Sequence, residues 1–186
     1  VRREITAEAF ESEAVPHLDD LFRTAVRLVA ERAEAEDLVQ EVYLQAWKSF
    51  DRYEPGTNCR AWLYKILFHK LNHQRRKNSH GRWVQADDAL LADTVACVPP
   101  VPHDLTDEEV VAALDGLQSG FREVVLLADV EEFSYKEIAG VLGIPIGTVM
   151  SRLSRGRRQL REALAGVAGQ YGVKGAVRSE SLSATA

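Results

Sequence analysis

Residues 133–164 read FSYKEIAGVLGIPIGTVMSRLSRGRRQLREAL. This stretch decides the fold class, because it holds two helix signals and a turn between them. Ser134 and Glu137 have the spacing of a capping box, in which each side chain satisfies the other's free backbone N–H. Ile138, Ala139 and Leu142 then recur at helical spacing, and Gly143 supplies the turn. Val149, Leu153, Leu160 and Leu164 mark the inward stripe of a second helix. The small Ala139 lets the two helices cross closely, so the unit reads as a helix-turn-helix. Met150, Ser151, Ser154 and Arg155 point away from the stripe. Such a helix can lie in a DNA major groove, with its N-terminal turns at base edges and its arginines on phosphates. Its free N–H groups also suit a phosphate, and Gly147 permits close approach.

The charge pattern supports this reading. No acid lies between Glu137 and Glu162, while Arg152, Arg155, Arg157, Arg158 and Arg161 share that interval. A second acid-free window, Pro55 to Ala86, holds Arg60, Lys65, Lys70, Arg75, Arg76, Lys77 and Arg82. The whole chain has 23 Lys and Arg against 28 Asp and Glu, so outside these windows eleven bases face all the acids. Two basic faces on an acidic body suit two polyanion contacts, plus a basic partner or simple solubility.

Upstream, Leu18, Leu21, Phe22, Ala25, Leu28 and Val29 predict one helix, with Pro16 in its first turn. Val39, Val42, Tyr43, Ala46, Trp47 and Phe50 predict another. DRYEPGTN, residues 51–58, breaks it into a loop, and a third helix is expected from about Cys59 to Lys77. Residues 78–105 lose the pattern and read as a flexible linker. Thr106 and Glu109 form a further capping box, and a helix is expected near Phe121 to Val130. The expectation is all-α: a first helical domain over 6–77, the linker, a second over 106–168, and a disordered tail over 169–186.

No run of 18 apolar residues and no signal-peptide core is present, so a cytoplasmic protein is expected. Cys59 and Cys97 do not make a disulfide framework. Half of the fourteen aromatics fall between Tyr43 and Phe68. Aromatics at helical spacing usually pack a core, yet beside a basic helix they also suit stacking with unpaired bases. His69 and His73 stand one helical turn apart, a chelating spacing, but no carboxylate lies near them. With no P-loop, catalytic triad or paired catalytic carboxylates, neither catalysis, metal nor cofactor is expected.

AEDLVQEVYLQAWKSF, FDRYEPGTN and CRAWLYKIL together resemble region two of extracytoplasmic-function sigma factors, the group-four members of the sigma-70 family. FREVVLLADVEEFSYKEIAGVLGIPIGTVMSRLSRGRRQLR resembles their region four. PGTN-x-x-AWLYKIL, DVEEFSYKEIA and PIGTVMSRLSRGRRQLR are most similar to the actinobacterial thiol-oxidative-stress subgroup. The resemblance implies a subunit that binds core RNA polymerase through its β′ clamp helices and β flap and directs it to promoters.

It further implies polymerase contacts at Asp37, Leu38, Gln40, Glu41, Tyr43 and Leu44. A melted −10 strand would meet Tyr53, Asn58, Arg60, Trp62, Lys65, His69, Lys70, His73 and Arg76. The −35 duplex would meet Thr148, Met150, Ser151, Arg152, Ser154, Arg155, Arg157 and Arg158. His69 and Met150 depart from the family's frequent choices, Asn and Lys or Arg, which bears on promoter sequence. An anti-sigma factor, zinc-binding and redox-sensitive, is the implied regulator, covering apolar edges near Val39–Trp47 and Phe121–Val130. The rival reading is a helix-turn-helix repressor or activator with an N-terminal effector domain. A metalloenzyme built on His69 and His73 is a more distant one.

Overall fold

The computed structural model describes residues 6–29, 31–78 and 106–170. The expected linker, apart from its first residue, and the tail beyond 170 fall outside them. Among the described residues the regular elements are all helical, in two groups.

The first group opens with α1, Ala7–Ala14. No helix is expected there from the hydrophobic pattern. Thr6 caps it, its hydroxyl accepting from the Ala9 N–H at 3.3 Å. Its anchor is Phe10, which meets Tyr43, Trp47 and Phe50 edge-on at centroid distances of 6.3, 5.1 and 5.2 Å. A 3₁₀ turn, Val15–His17, holds Pro16 and leads into α2, Leu18–Leu28. Helix α3, Arg32–Ser49, turns Ala35, Leu38, Val39, Val42 and Ala46 inward. Helix α4, Cys59–Asn78, starts where the Asn58 side-chain oxygen accepts from the Ala61 N–H at 3.0 Å. It buries Leu63, Tyr64, Leu67, Phe68 and Leu71. Helices α2, α3 and α4 pack on one another. Each fully buried large apolar side chain contributes about 1.5–3 kcal/mol to that core.

The second group holds α5, Asp107–Asp115; α6, Ser119–Val125; α7, Tyr135–Leu142; and α8, Ile146–Gln170. Both expected capping boxes form, Thr106 with Glu109 and Ser134 with Glu137. Gly143 takes φ +67°, the left-handed turn that a Cβ disfavours, and so separates α7 from α8. After α6 the chain widens into a π turn, Leu126–Val130. There the Glu131 N–H reaches back to the Leu126 carbonyl at 3.0 Å. Gly156 lets α8 sit against α6: a Cβ there would lie 2.8 Å from Val125 Cγ2.

The two groups are packed together, with α7 against α4. Tyr64 of α4 meets Phe133 at 5.0 Å in an edge-on contact. Among the described residues no helix is long and apolar enough to cross a membrane.

Candidate nucleic-acid interfaces

Helices α7 and α8 form the helix-turn-helix. Val149 and Leu153 are buried beneath it, while Met150 and Ser154 stand exposed on the outer face. Thr148 is half-buried, and its carbonyl accepts from the Ser151 hydroxyl at 3.1 Å. Arg155 and Arg158 are half-exposed along the same helix. Two expected −35 contacts are engaged elsewhere. The Arg152 guanidinium lies over Gly120 of α6, 3.5 Å from where a Cβ would stand, and its charge acts on Glu123. Arg157 Nε donates to Asp129 at 3.1 Å, and that bond raises the arginine's pKa. In this arrangement Arg152 and Arg157 brace α8 against α6 and the π turn.

In the first group the loop aromatics sort differently from expectation. Tyr53 is only 5% exposed. Phe50 stacks on it at 5.5 Å, Trp62 lies 5.1 Å away, and its hydroxyl donates to the Thr57 carbonyl at 2.8 Å. It therefore shapes the loop and offers no open face to a base. Trp62 is half-buried and borders an open groove of about 910 Å3 between α3 and α4. Lys65, His69 and His73, all exposed, line that groove with Lys70. Lys70 Nζ donates to Glu41 at 3.2 Å. Arg76 is exposed at the next turn. Asn58 and Arg60 are instead turned to the second group, where they meet Glu137 and Glu131.

On α3, Asp37, Gln40, Glu41 and Leu44 are exposed along one face. Leu38 is not among them: it is fully buried, on the inward stripe with Ala35 and Val42. Tyr43 is half-buried and donates from its hydroxyl to the Ala14 carbonyl at 2.8 Å, burial pushing its pKa up to about 12. The apolar edges expected to await a partner are largely closed. Val39, Val42 and Ala46 lie in the first core, and Val124 to Leu127 in the second. Leu44, Trp47 and Val130 are the exposed large apolar side chains left on those stretches.

Cys59 is a buried free cysteine, and burial pushes its thiol up to about 11. His69 and His73 gain no acidic or thiol companion: among the described residues no group of three or more His, Cys, Asp or Glu could hold a metal.

Comparison with known proteins places both groups. Residues 15–81 match sigma-70 region 2, and residues 107–160 match sigma-70 region 4. The ECF RNA polymerase sigma factor SigE of Mycolicibacterium smegmatis is 36% identical over 154 residues, covering 80% of this chain and 59% of that protein. The ECF RNA polymerase sigma factor EcfG of Rhodopseudomonas palustris is 36% identical over 140 residues, covering 75% of this chain and 76% of the relative. Among solved structures, the sigma factor RpoE from Bartonella quintana, crystallised with the anti-sigma factor NepR, superposes with a TM-score of 0.69 at 34% identity. That match covers 86% of this chain and 98% of the other. With both regions present in order and relatives similar over most of its length, the chain belongs to the extracytoplasmic-function sigma factors of the sigma-70 family.

Proposed function

We propose that this chain is a promoter-selecting initiation subunit that works in the cytoplasm with core RNA polymerase, which supplies all the chemistry. The observation that carries the reading is one chain holding both sigma regions, with a helix-turn-helix whose outer face is polar and basic. Region 4 reads the −35 duplex through Met150, Ser154 and Arg155, with Arg158 on phosphate. Thr148 and Ser151 flank that contact. Region 2 accepts the melted −10 strand along the α4 face that carries Trp62, Lys65, His69, Lys70, His73 and Arg76, and Asn58 and Arg60 join it when free of region 4. Flipping a base from the duplex costs a few kcal/mol, offset by such contacts. The α3 face of Asp37, Gln40, Glu41 and Leu44 meets the polymerase clamp, and region 4 rests on the β flap.

An anti-sigma factor is the proposed regulator, supported by the solved complex of the Bartonella quintana relative with NepR. Membership of the thiol-oxidative-stress subgroup, with a zinc-binding, redox-sensitive partner, rests on the resemblance of the motifs at residues 55–67, 129–139 and 145–161. The buried thiol of Cys59 fits a sensor located in the partner. The two sigma regions, 6–77 and 106–168, act as separate units on DNA, joined by the intervening chain.

Binding to polymerase tests the reading. Gln40→Ala with Glu41→Lys should abolish co-purification with core enzyme and leave the helical circular dichroism intact. Retention of the double variant by polymerase would remove the assigned face.

A further inference from the structure

Lys65, His69, His73 and Lys77 follow one another at four-residue steps on α4, and all four are exposed along the groove between α3 and α4. Each step advances about 6 Å along the helix axis, so the two lysines stand about 18 Å apart. At physiological salt that gap is roughly twice the ~8 Å over which a charge is felt. With neutral imidazoles between them the lysines are two separate sites. With both imidazoles protonated the row of charge is continuous. The other charged groups of the groove are Lys70 on α4 and Glu34 and Glu41 on α3, and Lys70 Nζ donates to Glu41 at 3.2 Å. Three lysines against two glutamates leave the groove one positive charge, and two imidazolium groups raise it to three. On their other side His69 and His73 border a cleft of about 290 Å3, shared with Lys65, Arg76 and residues 140–143 at the end of α7. Residues 140–143 bring no titratable side chain to it.

We propose that His69 and His73 form a proton-gated contact: they grip the backbone of the unpaired strand when charged, so region 2 holds DNA more tightly as the pH falls. The inference rests on the sigma reading and adds an acid response to its −10 contact. Histidine is the side chain whose charge ordinarily changes between about pH 5 and 8. A phosphate oxygen that accepts from an imidazolium gains a charge-assisted hydrogen bond, which a neutral ring does not offer. Each such contact also releases counterions from the strand. The sign follows. The strand binds the protonated form, so binding takes up protons, is fullest in acid and is lost as pH rises through the titration of the bound rings. Lys65 and Lys77 hold the two ends of the row at every pH in that interval, and the histidines decide whether its middle contributes.

The test assembles the full chain with core polymerase and titrates it against fluorescein-labelled single-stranded DNA of random sequence, read by anisotropy. Titrations run at about pH 6 and about pH 8, either side of the histidine interval's middle, over a range of salt. The comparison is with His69→Gln and His73→Gln together, and taking the affinity ratio of native to variant cancels titrating groups of the polymerase. That ratio should be about tenfold larger at the lower pH. There the native slope of log affinity on log salt should be steeper than the variant's by about 1.4, two contacts at about 0.7 each. His69→Lys with His73→Lys should exceed native affinity about tenfold at about pH 8 and match it at about pH 6. His17→Gln, in the turn before α2, is the control, and its ratio to native should not move with pH. A native-to-glutamine ratio unchanged by pH, a larger ratio without a steeper slope, or an equal change from His17→Gln each overturns the proposal. Co-purification of the native chain with core polymerase is read first. Its absence removes the sigma reading and the proposal with it, whereas an unchanged ratio in a chain that co-purifies overturns the proposal alone.

Discussion

Arg75 of α4 and Glu123 of α6 form an ion pair between the two regions, the carboxylate side chain 10% exposed and the guanidinium 36%. Burial raises the Glu123 pKa above its ordinary 4.5, even though Arg75, Arg152 and Arg122 all act to lower it. The charged form therefore loses more by leaving water than its partners return. The sign follows. A carboxyl whose folded pKa is raised contributes stability that is full below 4.5 and lost as pH rises through the folded value. Glu123→Gln should thus melt no lower than the native chain at neutral pH. The native chain should gain on the variant as pH falls toward about 4.5. Paired thermal melts across that interval check it, because the difference between the two proteins cancels carboxyls of opposite sign such as Glu137. A marked loss of melting temperature in the variant at neutral pH would mean the pair outweighs its burial.

The seat of α8 on α6 depends on the missing side chain at Gly156. A methyl group there would meet Val125 Cγ2 at 2.8 Å and Phe121 Cβ at 3.3 Å. Gly156→Ala should cost about 1–3 kcal/mol through overpacking. Val125→Ala opens a cavity of its own, but in the double variant the two changes fill each other's space. Denaturant unfolding should show the double variant less destabilised than the two single losses added together.

The outer face of α8 divides base reading from phosphate contact. Arg155→Ala should cost about 1–3 kcal/mol at a −35 site and relax sequence preference there. Arg158→Ala should weaken all duplexes more evenly and reduce the salt dependence of binding. Titrations against matched and scrambled duplexes measure both. Equal, sequence-blind losses would refute the division.

Cys59 should resist alkylation in the native chain, because its thiol is buried and held up at about 11. It should react only when denaturant opens region 2. Rapid native labelling of Cys59, read by peptide mass, would place a reactive thiol in the sigma factor and weaken the case for a sensor in the partner.

The helix-turn-helix was legible because its signals are local: two capping residues, one glycine and a stripe of aliphatics. Leu38 and Arg152 lie on the inward sides of their helices, and the pattern already carries that. Leu38 lies between Ala35 and Val42 at helical spacing, and Arg152 is three residues past Val149 and four before Gly156, beside the inward stripe. Helix α1 was hidden because its inward face is only Phe10 and the small Ala14, too few for a periodic stripe. The contact between regions had no sequence signal at all. It joins Asn58 to Glu137 and Arg60 to Glu131, 79 and 71 residues apart, through single non-periodic side chains.

Run-off transcription with purified, sigma-free core polymerase tests the central claim most directly. On fragmented genomic DNA from its source, the chain should produce transcripts from discrete starts that share two sequence blocks, one for each region. Arg155→Ala should shift or abolish the preference in the upstream block alone. Transcripts no different from those of core polymerase by itself, alongside dimerisation and tight duplex binding by the free chain, would contradict the account and favour a helix-turn-helix repressor or activator.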